Sequence, residues 1–356
     1  MLAICRFVKN RFVAFALGCI VIIAVLQGFF IKLVEWVPSF SPLFFPTLTI
    51  FLLVFHLFIA CFMAMKYWCD RRRLYLVPIA LAFAGSALLM VGTLSSFPAW
   101  LDLYQFNVAN YNDAMIFYMF RHFLMAVLII IAALLYTLRT SALSRGAHVA
   151  VVAGTVLFTG CMLGLAFFYS SHSTLLTLDL VDNETRQFMV LWSQAINIIL
   201  IVLWVVTLIT LMVITRVRNL FWVGGNFLCV CYIVTLIMLL LGGHAEDISW
   251  YRARLFETVA TLIIIFILLS DVFNLYRDSH VKYQQSYQNS IRDPLTRLYN
   301  RSYFYDSLNH ALSIATMAHP VSVVVSDLDR FKRINDCYGH LQGDKVLQFV
   351  SNLLPY

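Results

Sequence analysis

Toward the end of the 356-residue chain stands the run SDLDRFKRINDCYGHLQGDKVL, Ser326–Leu347. It follows Val321–Val325, a short β-branched stretch that predicts a buried strand. Alternate residues of a strand share a face, so Asp327 and Asp329 stand together with Leu328 opposite. Carboxylates at a strand end in an apolar core are costly unless paired or metal-bound. Hard Mg2+ with phosphate oxygens is their usual partner, although Asp329 can equally cap the turn that follows. Arg330–Cys337 reads as a helix ended at Gly339, and a helix resumes through Val346, Leu347, Phe349 and Val350. The chemistry between them suits a purine nucleotide. Asp344 can accept the N1–H and N2–H donors of a guanine edge, and the Asn335 amide suits its N7 and O6 acceptors. Lys332 can set a point charge beside a phosphate. Gly339–Lys345 is not a P-loop, because GxxxxGK[ST] is not satisfied.

A second group of reactive residues lies in apolar sequence. His56 falls mid-way along one long apolar run, and Arg121 with His122 interrupt the outer part of another. Ionisable groups inside membrane spans are functional candidates by default. One reading is a His56/His122 pair that holds haem or a metal, or senses protons. The plainer reading, which the sequence favours, is a neutral histidine hydrogen-bonded within a bundle and an Arg–His pair at an interface. No carboxylate is apparent in mid-span, which argues against a proton-coupled transporter. Gly85 and Gly224-Gly225 suit close helix packing.

The elements that must carry these groups follow from composition. At 62% hydrophobic and 12% charged, the chain is no ordinary soluble enzyme. Crossing about 30 Å of hydrocarbon takes about 20 mostly apolar residues, and eight runs qualify: Phe12–Ile31, Leu43–Met65, Tyr75–Leu94, Met115–Leu138, Val149–Tyr169, Phe188–Ile214, Leu220–Leu241 and Phe256–Phe273. The first is too long for a signal-peptide core and lacks a cleavage site. Nearly all of the net +7 charge lies in residues 1–270, where it is a topology signal and not a nucleic-acid patch. Arg6, Lys9, Arg11, Lys66, Arg71–Arg73, Arg139, Arg145, Arg216 and Arg218 fall on one side. Lys32, Arg186, Arg252, Arg254 and most acids fall on the other. Both termini are therefore expected inside, with Trp36, Trp100, Trp192 and Trp250 as an outer aromatic belt. The outer loops are too short to fold as a separate sensor domain. The cysteines sit mostly in apolar runs and form no CxxC, which reads as small hydrophobes.

Residues 1–273 are thus read as an eight-span α-helical membrane domain, 274–291 as a helical linker and 292–356 as a soluble part. In the linker Tyr276, His280, Tyr283, Tyr287 and Ile291 make one weak stripe, either a solvated extension of the last span or a dimeric signalling helix. Asp293-Pro294 breaks the helix, and Asp293 with Thr296 is expected to cap a new one running to about His310.

DPLTRLYNRSYF (Asp293–Phe304) resembles the opening signature of GGDEF-family diguanylate cyclase domains, and DLDRFKRINDCYGHLQGDKVL (Asp327–Leu347) resembles their first active-site motif. The membrane part is similar to MASE-type sensor modules in span count and layout. The resemblance implies a partial α/β, palm-like domain that condenses two GTP into cyclic di-GMP with loss of two pyrophosphates, in a homodimer at a bacterial inner membrane. It implies that Asp327, and Leu328 by its carbonyl, hold Mg2+; that Phe331 and Lys332 contact the triphosphate, with Lys332 steadying transition-state charge; that Asn335 and Asp344 read guanine; and that His340 orders the nucleotide loop. Arg330 departs from the His or aromatic residue common there. The GG(D/E)EF motif does not occur in the 356 residues, so the expectation is a truncated, inactive cyclase. The alternatives are a non-enzymatic membrane sensor or interaction remnant, and a transporter.

Overall fold

The computed structural model describes residues 2–36, 41, 43–97, 109–139, 144–245 and 247–353, with side chains described from residue 11 onward except 34–36. Trp36, Trp100 and the acids Glu35, Asp102 and Glu246 lie outside the described side chains. The chain divides into two compact units, Met1–Asp271 and Val272–Tyr356.

The first unit is built from long apolar helices: α1 (Leu2–Trp36), α2 (Phe44–Cys69), α3 (Leu76–Ser95), α4 (Tyr111–Thr137), α5 (Arg145–Tyr169), α6 (Asn197–Thr215), α7 (Leu220–Leu241) and α8 (Ile248–Ile291). A π-helical stretch, Leu191–Ile196, leads into α6. Eight helices are long and apolar enough to cross a membrane, matching the eight expected runs. In lipid every backbone polar group needs an internal partner, which a helix supplies to itself. The helix prolines Pro46 and Pro78 fall in first turns, where their missing N–H costs little. α3 and α4 are the most buried spans and α1 the least, with Leu17, Ile20, Val21 and Val25 turned outward as a lipid-facing surface would be. Close approach around α3 depends on Gly85, where a Cβ would stand 2.6 Å from Leu124 Cδ2 and 2.9 Å from Thr159 Cγ2.

Alternate helix ends meet on one side. Asn112, at the start of α4, accepts from the backbone N–H of Leu180 (2.7 Å) and Val181 (3.1 Å) and donates to the Leu178 carbonyl (2.8 Å). Gln187 bridges to His244 in the α7–α8 turn. Two helix starts and the aromatic belt differ from expectation. α8 begins at Ile248, so Arg252 and Arg254 are helix residues and not loop residues. α4 begins at Tyr111, four residues before the expected run, so Arg121 stands ten residues into the helix, still in its outer part. Trp192 and Trp250 are buried and form no belt; Trp250 packs on Phe45 with ring centroids 5.1 Å apart.

The second unit takes in the last part of α8, then α9 (Arg301–Ile314), α10 (Phe331–Tyr338) and α11 (His340–Leu353). Tyr276, Tyr283 and Tyr287 on α8 are exposed. Asp293 does not cap the next helix. Its carboxylate accepts from Leu295 N (3.0 Å), Thr296 N (2.8 Å) and Thr296 Oγ1 (2.9 Å), making a tight turn that Arg297 completes with φ 61°. The cap is Asn300, whose side chain accepts from Tyr303 N at 3.0 Å. The left-handed Arg297 explains the delay, since it cannot stand in the first turn of a helix capped by Asp293. Val321–Val325 has no regular secondary structure and joins no sheet among the described residues, and Val324 and Val325 are almost fully exposed. A strand is stable only when its backbone groups pair with a neighbour, and no partner strand is present among these residues.

Candidate functional site

Two constellations can do chemistry, one in each unit. In the second unit Asp327 stands four residues ahead of α10 and is exposed to solvent. One oxygen accepts from Leu328 N at 2.9 Å, which leaves the other free. The Leu328 carbonyl accepts from Phe331 N at 3.3 Å and keeps a second lone pair. A carboxylate and a carbonyl, both hard oxygen donors open to water, suit Mg2+, which keeps part of its own water shell. Asp329 stands in the turn before α10, and Arg330 takes up a left-handed conformation (φ 56°) to redirect the chain.

α10 and α11 form a helical corner around Gly339. Its φ of +81° is open to glycine at little cost, and its N–H closes α10 on the Asn335 carbonyl at 2.9 Å. The corner brings the Asn335 side chain against α11. A Cβ on Gly343 would stand 1.9 Å from Asn335 Oδ1 and 3.4 Å from the Phe331 ring. Gly343 is buried, and the next residue is Asp344. The structure thus joins Asn335, Phe331 and the Gly343-Asp344 pair. Lys332 and His340 are exposed, on α10 and at the first position of α11. Among the described residues no group of three or more His, Cys, Asp or Glu could hold a metal.

The second constellation is a buried polar cluster inside the membrane unit. Glu257 on α8 takes Arg121 of α4 on one carboxylate oxygen and Arg254 on the other, the latter at 3.2 Å. All three side chains are at least 96% buried. Arg121 Nη2 lies 3.2 Å from His122 Nε2, and Trp204 Nε1 donates to His122 Nδ1 at 3.1 Å. Donors therefore face both imidazole nitrogens, whereas a neutral ring offers one lone pair. His56 holds Ser86 Oγ at 2.8 Å through Nδ1, and Tyr232 lies 3.5 Å from its Nε2. The Tyr232 ring stands between the two histidines, 4.9 Å from His122. The cluster matches the plainer sequence reading at His56. It departs at Arg121, whose partner is a carboxylate the sequence reading placed outside mid-span. Arg254 falls outside the apolar run that opens at Phe256 and reads as a loop charge, and Glu257, the second residue of that run, reads as its edge and not as mid-span. Their i, i+3 spacing on the edge of a span was the available signal.

Comparison with known proteins gives two family matches. The family described as a membrane-associated sensor, integral membrane domain (MASE4) matches residues 39–276, and the diguanylate cyclase GGDEF domain matches residues 290–355. The chain is 26% identical over 297 residues to the probable diguanylate cyclase DgcT of Escherichia coli, covering 82% of this chain and 63% of that protein. It is 39% identical over 75 residues to the diguanylate cyclase DgcS of Shewanella oneidensis, covering 21% of this chain and 25% of the other. Over 60 residues it is 43% identical to the response regulator PleD of Caulobacter vibrioides, covering 17% of this chain and 13% of that protein. The chain thus spans less than two thirds of each of these relatives. No solved structure matches.

Proposed function

We propose that this chain, which belongs to the MASE4 family of integral membrane sensors and continues into a GGDEF segment, is the sensing and GTP-presenting part of a diguanylate cyclase. The reaction is the condensation of two GTP into cyclic di-GMP, each nucleotide held by one domain of a homodimer. Both chain termini lie in the cytoplasm of a bacterial inner membrane, as the distribution of Lys and Arg supports.

The observation that carries this reading is the seating of Asn335 against Gly343. It sets the Asn335 amide against α11 one residue before Asp344, and an amide with a carboxylate is the donor and acceptor pair that a guanine edge requires. In the mechanism Asn335 donates to guanine O6 and N7, and Asp344 accepts from N1–H and N2–H. Lys332 sets positive charge at the triphosphate, where phosphoryl transfer is helped chiefly by positioning and electrostatics. Phe331 contacts the triphosphate and His340 steadies the loop. Asp327 and the Leu328 carbonyl would hold Mg2+, which when bound polarises the α-phosphate and lowers the pKa of the attacking 3′-hydroxyl. Cyclisation is proposed for the domain as a whole, because the GG(D/E)EF motif does not occur among these residues.

GTP titration of the full chain in lipid nanodiscs, with ATP as competitor, tests the reading. GTP should bind with Mg2+ present and ATP should compete poorly. Asp344→Ala and Asn335→Ala should each weaken GTP about tenfold or more, the effect of losing hydrogen bonds to a buried polar edge. Equal binding of GTP and ATP, or variants that bind like the native chain, would overturn it.

A further inference from the structure

The membrane cluster carries one more positive charge than it neutralises. Arg121 and Arg254 share the single carboxylate of Glu257. Among the described residues, the other polar groups packed around them, Tyr118, His122, Trp204 and Tyr232, supply no second anion. An unpaired charge is costly away from water, and a guanidinium does not shed it by losing a proton. Something should compensate it.

The structure holds a place for such a group. A cavity of about 10 Å³ lies beside Arg254 and Glu257, bounded also by Tyr118, Trp250 and Phe45. That is room for one water-sized body. Two of the residues that bound it, Tyr118 and Trp250, each carry a buried polar atom, Oη and Nε1, with no hydrogen-bond partner. Trp250 Nε1 can only donate, and Tyr118 Oη is free to. Arg254 lies over the Phe45 ring at 4.6 Å and near the Tyr118 ring at 5.9 Å, so its cation faces the same space. Arg254 is six residues past Ile248 and Tyr118 seven past Tyr111, so both lie about 10 Å in from helix ends on the same side of the bundle.

We propose that this cavity is a binding site for a small monovalent anion of halide size, held by Arg254, the Tyr118 hydroxyl and the Trp250 indole N–H. A water molecule would satisfy the two orphan donors but leave the charge uncompensated. An anion answers both. A halide is slightly larger than water, so the side chains around the cavity would shift to admit it. The proposal does not depend on what the C-terminal segment does.

Thermal unfolding of the full chain in nanodiscs tests it, with chloride or bromide exchanged for gluconate at constant ionic strength. The native chain should show a saturable rise in Tm with either halide, and sulfate should not reproduce it. Tyr118→Phe and Trp250→Phe should each raise the halide concentration for half-effect about tenfold, the loss of one hydrogen bond to a charged ligand. Arg254→Gln should abolish the response. An unresponsive native chain, an equal effect of sulfate, or a full response in Arg254→Gln would overturn the proposal. Should Arg254→Gln fail to fold, unchanged half-effects in both Phe variants would overturn it as well.

Discussion

At the residue scale two side chains decide more than their size suggests. Gly343 leaves no space for a methyl group, since its Cβ would overlap Asn335 Oδ1. Asn335 is short, so it can make room only by leaving its seat. Gly343→Ala should therefore weaken GTP binding about tenfold or more, as for loss of the Asn335 contacts themselves, while the membrane unit unfolds as before. A GTP titration beside a thermal melt of the same nanodisc sample checks both halves. Glu257 is the opposite case, a buried carboxylate between two guanidinium groups. Glu257→Gln removes the carboxylate that both arginines share and leaves them facing a neutral amide. Breaking a buried ion pair from one side typically costs about 3–5 kcal/mol, so the variant should melt well below the native chain. A melting point within a degree or two of native would show that the two arginines are compensated elsewhere.

At the scale of elements, the turn between α8 and α9 shows where sequence reading succeeds and where it slips. Asp293-Pro294 was legible as a helix break, because proline restricts the residue before it. The cap was misassigned because Asp293 and Asn300 both precede suitable helix starts, and only the left-handed Arg297 between them rules the first one out. Asn300→Ala should cost α9 about 1 kcal/mol, read as faster amide hydrogen exchange over Arg301–Phe304. The Asp293 carboxyl is held below the usual carboxylate range, first by the Thr296 backbone N–H and then by the Thr296 hydroxyl. A carboxylate whose pKa is lowered by folding stabilises the folded turn at pH values above its unfolded pKa of about 3.9. That contribution disappears as the pH falls through the lower, folded value. The turn should therefore loosen in acid, seen as rising exchange at Thr296 and Leu298 below about pH 4, and Asp293→Asn should flatten the dependence. Val321–Val325 fails for a different reason. β-branched composition marks a segment able to be a strand, but pairing is a property of two segments, and none of the described residues supplies the second.

At the scale of the whole molecule, the eight spans were legible because length and hydropathy alone define them, and the MASE4 match over residues 39–276 rests on the same stretch. The polar cluster was not, because its members come from α2, α4, α6, α7 and α8 and meet only after packing. Charge also set the proposed orientation, and here the structure adds a constraint. Asn112, the 178–181 stretch and the Gln187–His244 bridge tie the start of α4, the α5–α6 connection and the α7–α8 turn into one face. All three must lie on the same side of the membrane. Arg71, Arg72 and Arg73 stand at the other ends of the helices, between α2 and α3. The positive-inside rule then assigns the arginine loop to the cytoplasm and the tied face to the exterior. A cysteine placed at Asn183 should react with a membrane-impermeant maleimide in intact cells, whereas one at Arg72 should react only after permeabilisation, each read against the unsubstituted chain to account for its native cysteines. The reverse pattern would invert the bundle and move the anion cavity, which lies toward the tied face, to the cytoplasmic half. The expected pattern sets that cavity within about 10 Å of the outer helix ends, where an extracellular ion reaches Arg254 without crossing the bilayer.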